Sequence, residues 1–227
     1  MSQNYAGIIF DMDGILVDSE AFYYQRRKAF LQEYDLSIET IPISLFIGAD
    51  MRSLWELIFE VNDSQYDEAF LNQEYLKYKE AHPADFKELI HPDAKRILQF
   101  LKRNGYRIGL ASSSTMPAID DILKAGQLNS YFDVIVSGTQ FVKSKPDPEI
   151  YQYTVQELGL KPQQCLAIED SEKGIRAAHD AGMTVWALQD DRFGMDQSLA
   201  DHQLTALSEI CKKLLKQDES ATMSKEY

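Results

Sequence analysis

Asp11 and Asp13 stand two positions apart at the end of the apolar run Gly7-Ile8-Ile9-Phe10, with Gly14 directly after them. Carboxylates this close repel each other unless a cation or a shared proton offsets the charge. The arrangement suits a divalent metal, with one carboxylate free to act as a nucleophile and the other as an acid/base. The same residues also read as a strand running into an Asx turn, since Asp and Gly are ordinary turn formers. Three later segments supply chemistry that such a pair needs. Ser112-Ser113-Ser114-Thr115 leads into a helix, where hydroxyls and free backbone N–H groups suit an anion such as phosphate. In Lys143-Ser144-Lys145-Pro146, Lys145 can neutralise part of that anion, and Pro146 restricts it to an extended backbone; Lys143 is a rival. Glu169-Asp170-Ser171 can complete an oxygen-rich sphere of the kind Mg²⁺ prefers. Each segment alone also reads as a turn, a solvated charge or a helix cap.

The elements that must position these residues alternate. Helix Asp93–Arg103 is followed by strand Tyr106–Ala111, and a helix from about Pro117 to Gly126 by strand Phe132–Val136. Helix Pro148–Leu158 precedes strand Cys165–Ile168, and helix Ser171–Ala181 precedes strand Thr184–Leu188. Short apolar strands joined by single helices imply an α/β fold, a doubly wound parallel sheet with both faces covered. Ligands of such sheets bind beyond the carboxyl ends of the strands. All four polar clusters follow strands, so they should meet on one edge. The interval from Glu20 to Glu88 breaks the rhythm and reads as helices throughout, rich in aromatics, with no strand. It is expected to be a helical insert (19–88) in a core formed by 1–18 and 89–211, with 212–227 a flexible tail.

Composition narrows the classes. The chain of 227 residues is 44% hydrophobic and 26% charged, as expected of a soluble globular protein. No apolar run approaches the roughly 18 residues of a membrane span. Met1-Ser2-Gln3-Asn4 does not open a secretory signal, so a cytoplasmic location is expected. Cys165 and Cys211 are far apart, and Cys165 reads as a small buried hydrophobe rather than half of a disulfide. A net charge of −13 argues against nucleic acid and anionic membranes. An anionic substrate would therefore need local cations.

Together, Asp11-Met12-Asp13-Gly14, the Ser112 segment, Lys145-Pro146 and Glu169-Asp170-Ser171-x-x-Gly174 resemble the haloacid dehalogenase superfamily of phosphotransferases. Asp18-Ser19-Glu20 and the helical insert look like its β-phosphoglucomutase-like subfamily with a small α-helical cap, over nearly the whole chain to about residue 210. The resemblance implies a Rossmann-like core and an enzyme acting on a small phosphorylated metabolite, working as a monomer. It implies Asp11 as the nucleophile that forms an aspartyl-phosphate and Asp13 as the general acid and base. It implies Ser112, Ser113 and Lys145 on the transferring phosphoryl group. Mg²⁺ would be held by Asp11, the Asp13 carbonyl and Asp170, with Glu169 supporting or ligating.

A signalling receiver domain also has a phosphoaccepting aspartate, but is about half this length and lacks a cap. A true dehalogenase lacks the second aspartate. A retired binding module would have lost one of the clusters, and all are present. Between phosphatase and sugar-phosphate mutase, the mutase pattern places a His twelve positions after the nucleophile, where this chain has Tyr23, a candidate substrate contact. It also places an Arg shortly after a cap-loop Gly; Gly48-Ala49-Asp50-Met51-Arg52 offers Arg52 as a substrate contact, or as a solvated helix residue. The expectation is a phosphatase, with the mutase as alternative and a non-catalytic phosphoacceptor as a distant third.

Overall fold

Short runs of apolar residues pair in parallel to make the sheet. In the computed structural model, which describes residues 5–49 and 51–223 with side chains to 216, the strands are β1 (Gly7–Phe10), β2 (Arg107–Ser112), β3 (Val134–Ser137), β4 (Cys165–Glu169), β5 (Thr184–Leu188) and β6 (His202–Leu204). Their order across the sheet is β3-β2-β1-β4-β5-β6. The chain therefore winds outward from β1 in one direction, then returns to lay β4 on its other side. That reversal is the switch point at which open α/β sheets bind ligands. Phe10 lies level with Leu110 on one neighbour and Ile168 on the other. The residue after β1, Asp11, continues the ladder by donating its N–H to Ile168 O at 2.9 Å.

Alternation along each strand feeds two cores. Ile8 and Phe10 join Ile108, Leu110, Leu166 and Ile168 under helices α5 (Ala94–Arg103), α6 (Met116–Gly126) and α9 (Glu209–Met223). Ile9, Ala111 and Ala167 point the other way, under α7 (Glu149–Glu157) and α8 (Glu172–Asp180). Each large side chain so buried contributes roughly 1.5–3 kcal/mol. Helices α1 (Glu20–Gln32), α2 (Trp55–Asn62) and α3 (Glu68–Ala81) build a third cluster of their own around Phe30, Leu31, Trp55, Ile58, Leu71 and Tyr75. The short α4 (Phe86–Leu89) leads back to the sheet. Two connections run side by side there: Asp18 N–H donates to Leu89 O at 2.8 Å, and His91 N–H to Leu16 O at 2.9 Å.

Several expectations need correction. The stretch between α1 and α2 is not helical throughout; it holds one 3₁₀ turn, Ile43–Phe46, packed by Phe46 and Ile47. Helix α9, with Ile210 and Leu214 buried near its start, runs on through 212–223. Residues 224–227 of the expected tail, and Met1–Asn4, lie outside the described residues. Strand β6 has only three residues, too few to leave a periodic signal. Among the described residues no helix is long and apolar enough to cross a membrane.

Candidate active site

The carboxyl ends of β1, β2 and β4 bring the polar clusters together. Lys145 is the hub. Its Nζ lies 2.6 Å from Asp11 Oδ1 and 2.7 Å from Glu169 Oε1, and donates to Ala111 O at 3.0 Å. The Tyr151 hydroxyl lies 3.2 Å from it and donates to Glu169 Oε1 at 2.7 Å. Lys145 precedes Pro146 through a cis peptide bond. Burial alone would lower the Lys145 pKa; Asp11, Glu169 and Tyr151 together hold it well above the ordinary lysine value. It is therefore a fixed cation. Lys143, its rival, points to solvent and pairs only loosely with Asp147, at 3.5 Å.

Asp11, Glu169 and Asp170 form a buried group whose ligand atoms lie within 4.8 Å of one another. Burial pushes Asp11 well above the usual carboxylate range; Lys145 opposes this, while Glu169 and Asp13 add to it. Asp170 is pushed the same way by burial, then by Glu169, Asp11 and Glu20. One lysine cannot neutralise three buried carboxylates. Glu169 is already saturated, because Oε2 accepts from Asp170 N–H at 3.1 Å, and from Ser171 N–H and Oγ at 3.4 and 3.3 Å. The Asp170 carboxylate accepts no described protein hydrogen bond. Hard oxygen donors with uncompensated negative charge fit a small divalent cation such as Mg²⁺. Gly14 makes room for this group: its φ is +81°, and a Cβ there would lie 1.9 Å from Asp170 Oδ2. Buried Gln197 steadies the loop by donating to Asp170 O at 2.7 Å and Leu188 O at 2.8 Å.

Asp13 stands apart from the acidic group. Ser19 Oγ donates a short hydrogen bond to Oδ1, and Ser114 Oγ donates to Oδ2 at 3.0 Å. Burial raises its pKa against those two hydrogen bonds. Both its carboxylate oxygens are thus engaged by hydroxyls, and it is not among the three clustered carboxylates. Ser112, buried at the end of β2, accepts from Ser114 N–H at 3.1 Å, and Ser137 Oγ donates to Ser114 O at 2.7 Å.

Two expected contacts are not brought into this cluster. Ser113 is exposed, and so is Arg52, which takes part in none of the cluster's described hydrogen bonds; Asp50 of its loop lies outside the described residues. Tyr23 sits one turn into α1, its backbone N–H donating to the carbonyl of Ser19, the donor to Asp13, at 2.9 Å; burial and the Asp13 charge raise its phenol pKa. Ser19, Ser114, Ser137, Tyr151 and Gln197 were not singled out from the sequence. Ser19 and Ser114 lay inside the motif segments, but Tyr151 and Gln197 carried no signal, because only the fold brings them to the strand edge.

The profile of the family described as haloacid dehalogenase-like hydrolase matches residues 8–188. The chain is 30% identical over 179 residues to a phosphorylated carbohydrates phosphatase of Thermotoga maritima, spanning 78% of this chain and 81% of that protein. It is 32% identical over 186 residues to a beta-phosphoglucomutase of Bacillus subtilis, spanning 78% and 80% respectively. A crystal structure of beta-phosphoglucomutase from Clostridium difficile shares the fold, with a TM-score of 0.77 at 22% identity over 96% of this chain and 99% of that one.

Proposed function

The chain belongs to the haloacid dehalogenase-like hydrolase family, a family of enzymes, and from that premise we propose that it is a phosphatase that hydrolyses a small phosphorylated carbohydrate through Asp11. The carrying observation is the buried lysine held against Asp11 and Glu169 beside the open carboxylate of Asp170. In a chain of net charge −13, this is a local cation of the kind an anionic substrate requires.

In this reading Lys145 and the Ser112 hydroxyl hold the phosphoryl oxygens. An Asp11 oxygen attacks phosphorus, the ester P–O bond breaks, and Asp13 gives its proton to the leaving oxygen. Asp13 then takes a proton from the water that attacks the aspartyl-phosphate, returning Asp11 and releasing phosphate. To reach the ester oxygen, Asp13 must give up its bond to Ser19 or Ser114. Mg²⁺ held by Asp11, Asp170 and the Asp13 carbonyl, with Glu169 behind them, would reduce repulsion between nucleophile and phosphate. Residues 19–88 serve as a cap over the strand edge, and the paired connections at Asp18–Leu89 and Leu16–His91 are where it would pivot.

Asp11→Asn keeps the shape but can neither attack nor carry the charge. It should abolish Mg²⁺-dependent release of phosphate from a panel of sugar phosphates while leaving the circular dichroism spectrum and melting curve of a folded protein. Near-normal release by the variant, or full wild-type activity after exhaustive chelation, would overturn the mechanism. A second reading, a sugar-phosphate mutase, is favoured by the likeness to the Bacillus subtilis enzyme. Tyr23 weighs against it, standing where the mutase pattern has a His.

A further inference from the structure

Glu20, the first residue of α1, has no part in the chemistry above, yet it is only 5% exposed. Its Oε1 accepts from Gly48 N–H at 3.0 Å, and its Oε2 is buried with no hydrogen-bond partner. Arg27, whose charge Glu20 feels, does not supply one: its guanidinium donates to Phe46 O at 2.8 Å and Ala49 O at 2.6 Å. Glu20 feels the charge of Asp13 and Asp18, and Asp170 feels the charge of Glu20. It directly follows Ser19, the donor to Asp13, and is held by Gly48 N–H, so it stands between Asp13 at the strand edge and the 46–49 loop of the insert.

An unpartnered carboxylate oxygen in the interior is costly unless a donor arrives. That donor is not a phosphoryl group, which is anionic and would be repelled by Glu20 and its acidic neighbours. A hydroxyl fits, because it donates one proton to the oxygen and adds no charge. Resting on the phosphatase reading, we infer that Glu20 Oε2 accepts a hydrogen bond from a hydroxyl on the substrate's carbon chain. Glu20 is then a specificity-determining residue that selects polyhydroxylated monophosphates. Its charge discriminates against a second phosphate in the same place. A site built to accept from a hydroxyl also rejects analogues that lack it, because the buried acceptor stays unpaired.

The test compares kcat/KM for fructose 1-phosphate, fructose 1,6-bisphosphate and phenyl phosphate in wild type, Glu20→Ala and Glu20→Gln. In Glu20→Gln the amide oxygen is needed by Gly48 N–H, so the NH₂ group turns towards the site and the free acceptor is lost. The wild type should prefer the sugar monophosphate over both other esters. Both variants should lower its preference over phenyl phosphate by tenfold or more and narrow the gap to the bisphosphate. Equal losses on all three esters, full rescue by Gln, or a wild type that prefers phenyl phosphate or the bisphosphate would overturn the assignment. A wild type inactive on all three would instead sink the phosphatase reading.

Discussion

Lys145 and Lys143 differ by two positions in the chain and by nearly everything in their surroundings. Lys145 holds two carboxylates, a carbonyl and a phenol, whereas the Lys143 side chain is 76% exposed. Lys145→Ala should cost roughly 2–4 kcal/mol of transition-state stabilisation, by analogy with losing one preorganised donor. It should also lower stability, since Asp11 and Glu169 would be left uncompensated. Lys143→Ala should stay within about 0.5 kcal/mol in both kcat/KM and denaturant midpoint. The reverse order would mean that Lys143, not Lys145, serves the phosphoryl group. Glu20 makes a second prediction at this scale. Burial, with Asp13 and Asp18 beside it and only partly offset by Arg27 and Gly48 N–H, raises its pKa from 4.5 to about 7. Between these values the folded protein keeps a proton that the unfolded chain has released, so stability falls as pH rises through that window. Above about 7 the penalty is complete. Glu20→Gln removes it, so in metal-free protein the variant should gain on wild type from pH 5 to pH 8, by up to roughly 3 kcal/mol. Denaturant titrations at both pH values measure the gap, and a gap that does not change with pH would contradict this picture.

Among the elements, the turn after β1 is the least tolerant of change. Gly14 combines a φ of +81° with a Cβ position 1.9 Å from Asp170 Oδ2. Gly105, at the end of α5, has φ +80° but nothing within 4 Å of its Cβ position. Alanine at Gly105 should therefore cost only the backbone term, about 1–2 kcal/mol. Alanine at Gly14 carries the same strain and must also displace Asp170. It should lose Mg²⁺-dependent activity and the thermal stabilisation given by Mg²⁺, while Gly105→Ala keeps both. Melting curves with and without the metal separate the two, and an unimpaired response in Gly14→Ala would contradict the close approach described here.

At the scale of the whole molecule, the insert meets the sheet where Ser19, just before α1, donates to Asp13, and Tyr23 follows one turn on, its N–H donating to Ser19 O at 2.9 Å. A mutase must protect its aspartyl-phosphate from water until a sugar turns around and accepts the phosphate. An imidazole at this point could carry charge near neutral pH; the Tyr23 phenol, with its pKa raised further by burial, stays neutral. The phospho-enzyme should therefore discharge to water within seconds. Rapid-quench measurement of its lifetime, with and without hexose phosphates, checks this. A long-lived intermediate that passes its phosphate mainly to a hexose phosphate would make the mutase reading the correct one.

The alternation of short apolar runs with amphipathic helices was legible in the chain, because periodicity is a local property. So were the places where Asp11, Asp13, Lys145 and Glu169-Asp170 would stand, because an open parallel sheet gathers whatever follows its strands. The apolar runs of β2, β3 and β4 end at Ala111, Val136 and Ile168, but the ladder runs on into Ser112, Ser137 and Glu169. Backbone pairing does not depend on side-chain polarity. The tertiary structure alone decided that Glu169 is saturated while Asp170 is open, and that Tyr151 and Gln197 belong to the site. It also left one buried oxygen of Glu20 without a hydrogen-bond partner. These outcomes depend on which groups from distant segments compete for the same few ångströms, and no local pattern in the chain records that competition.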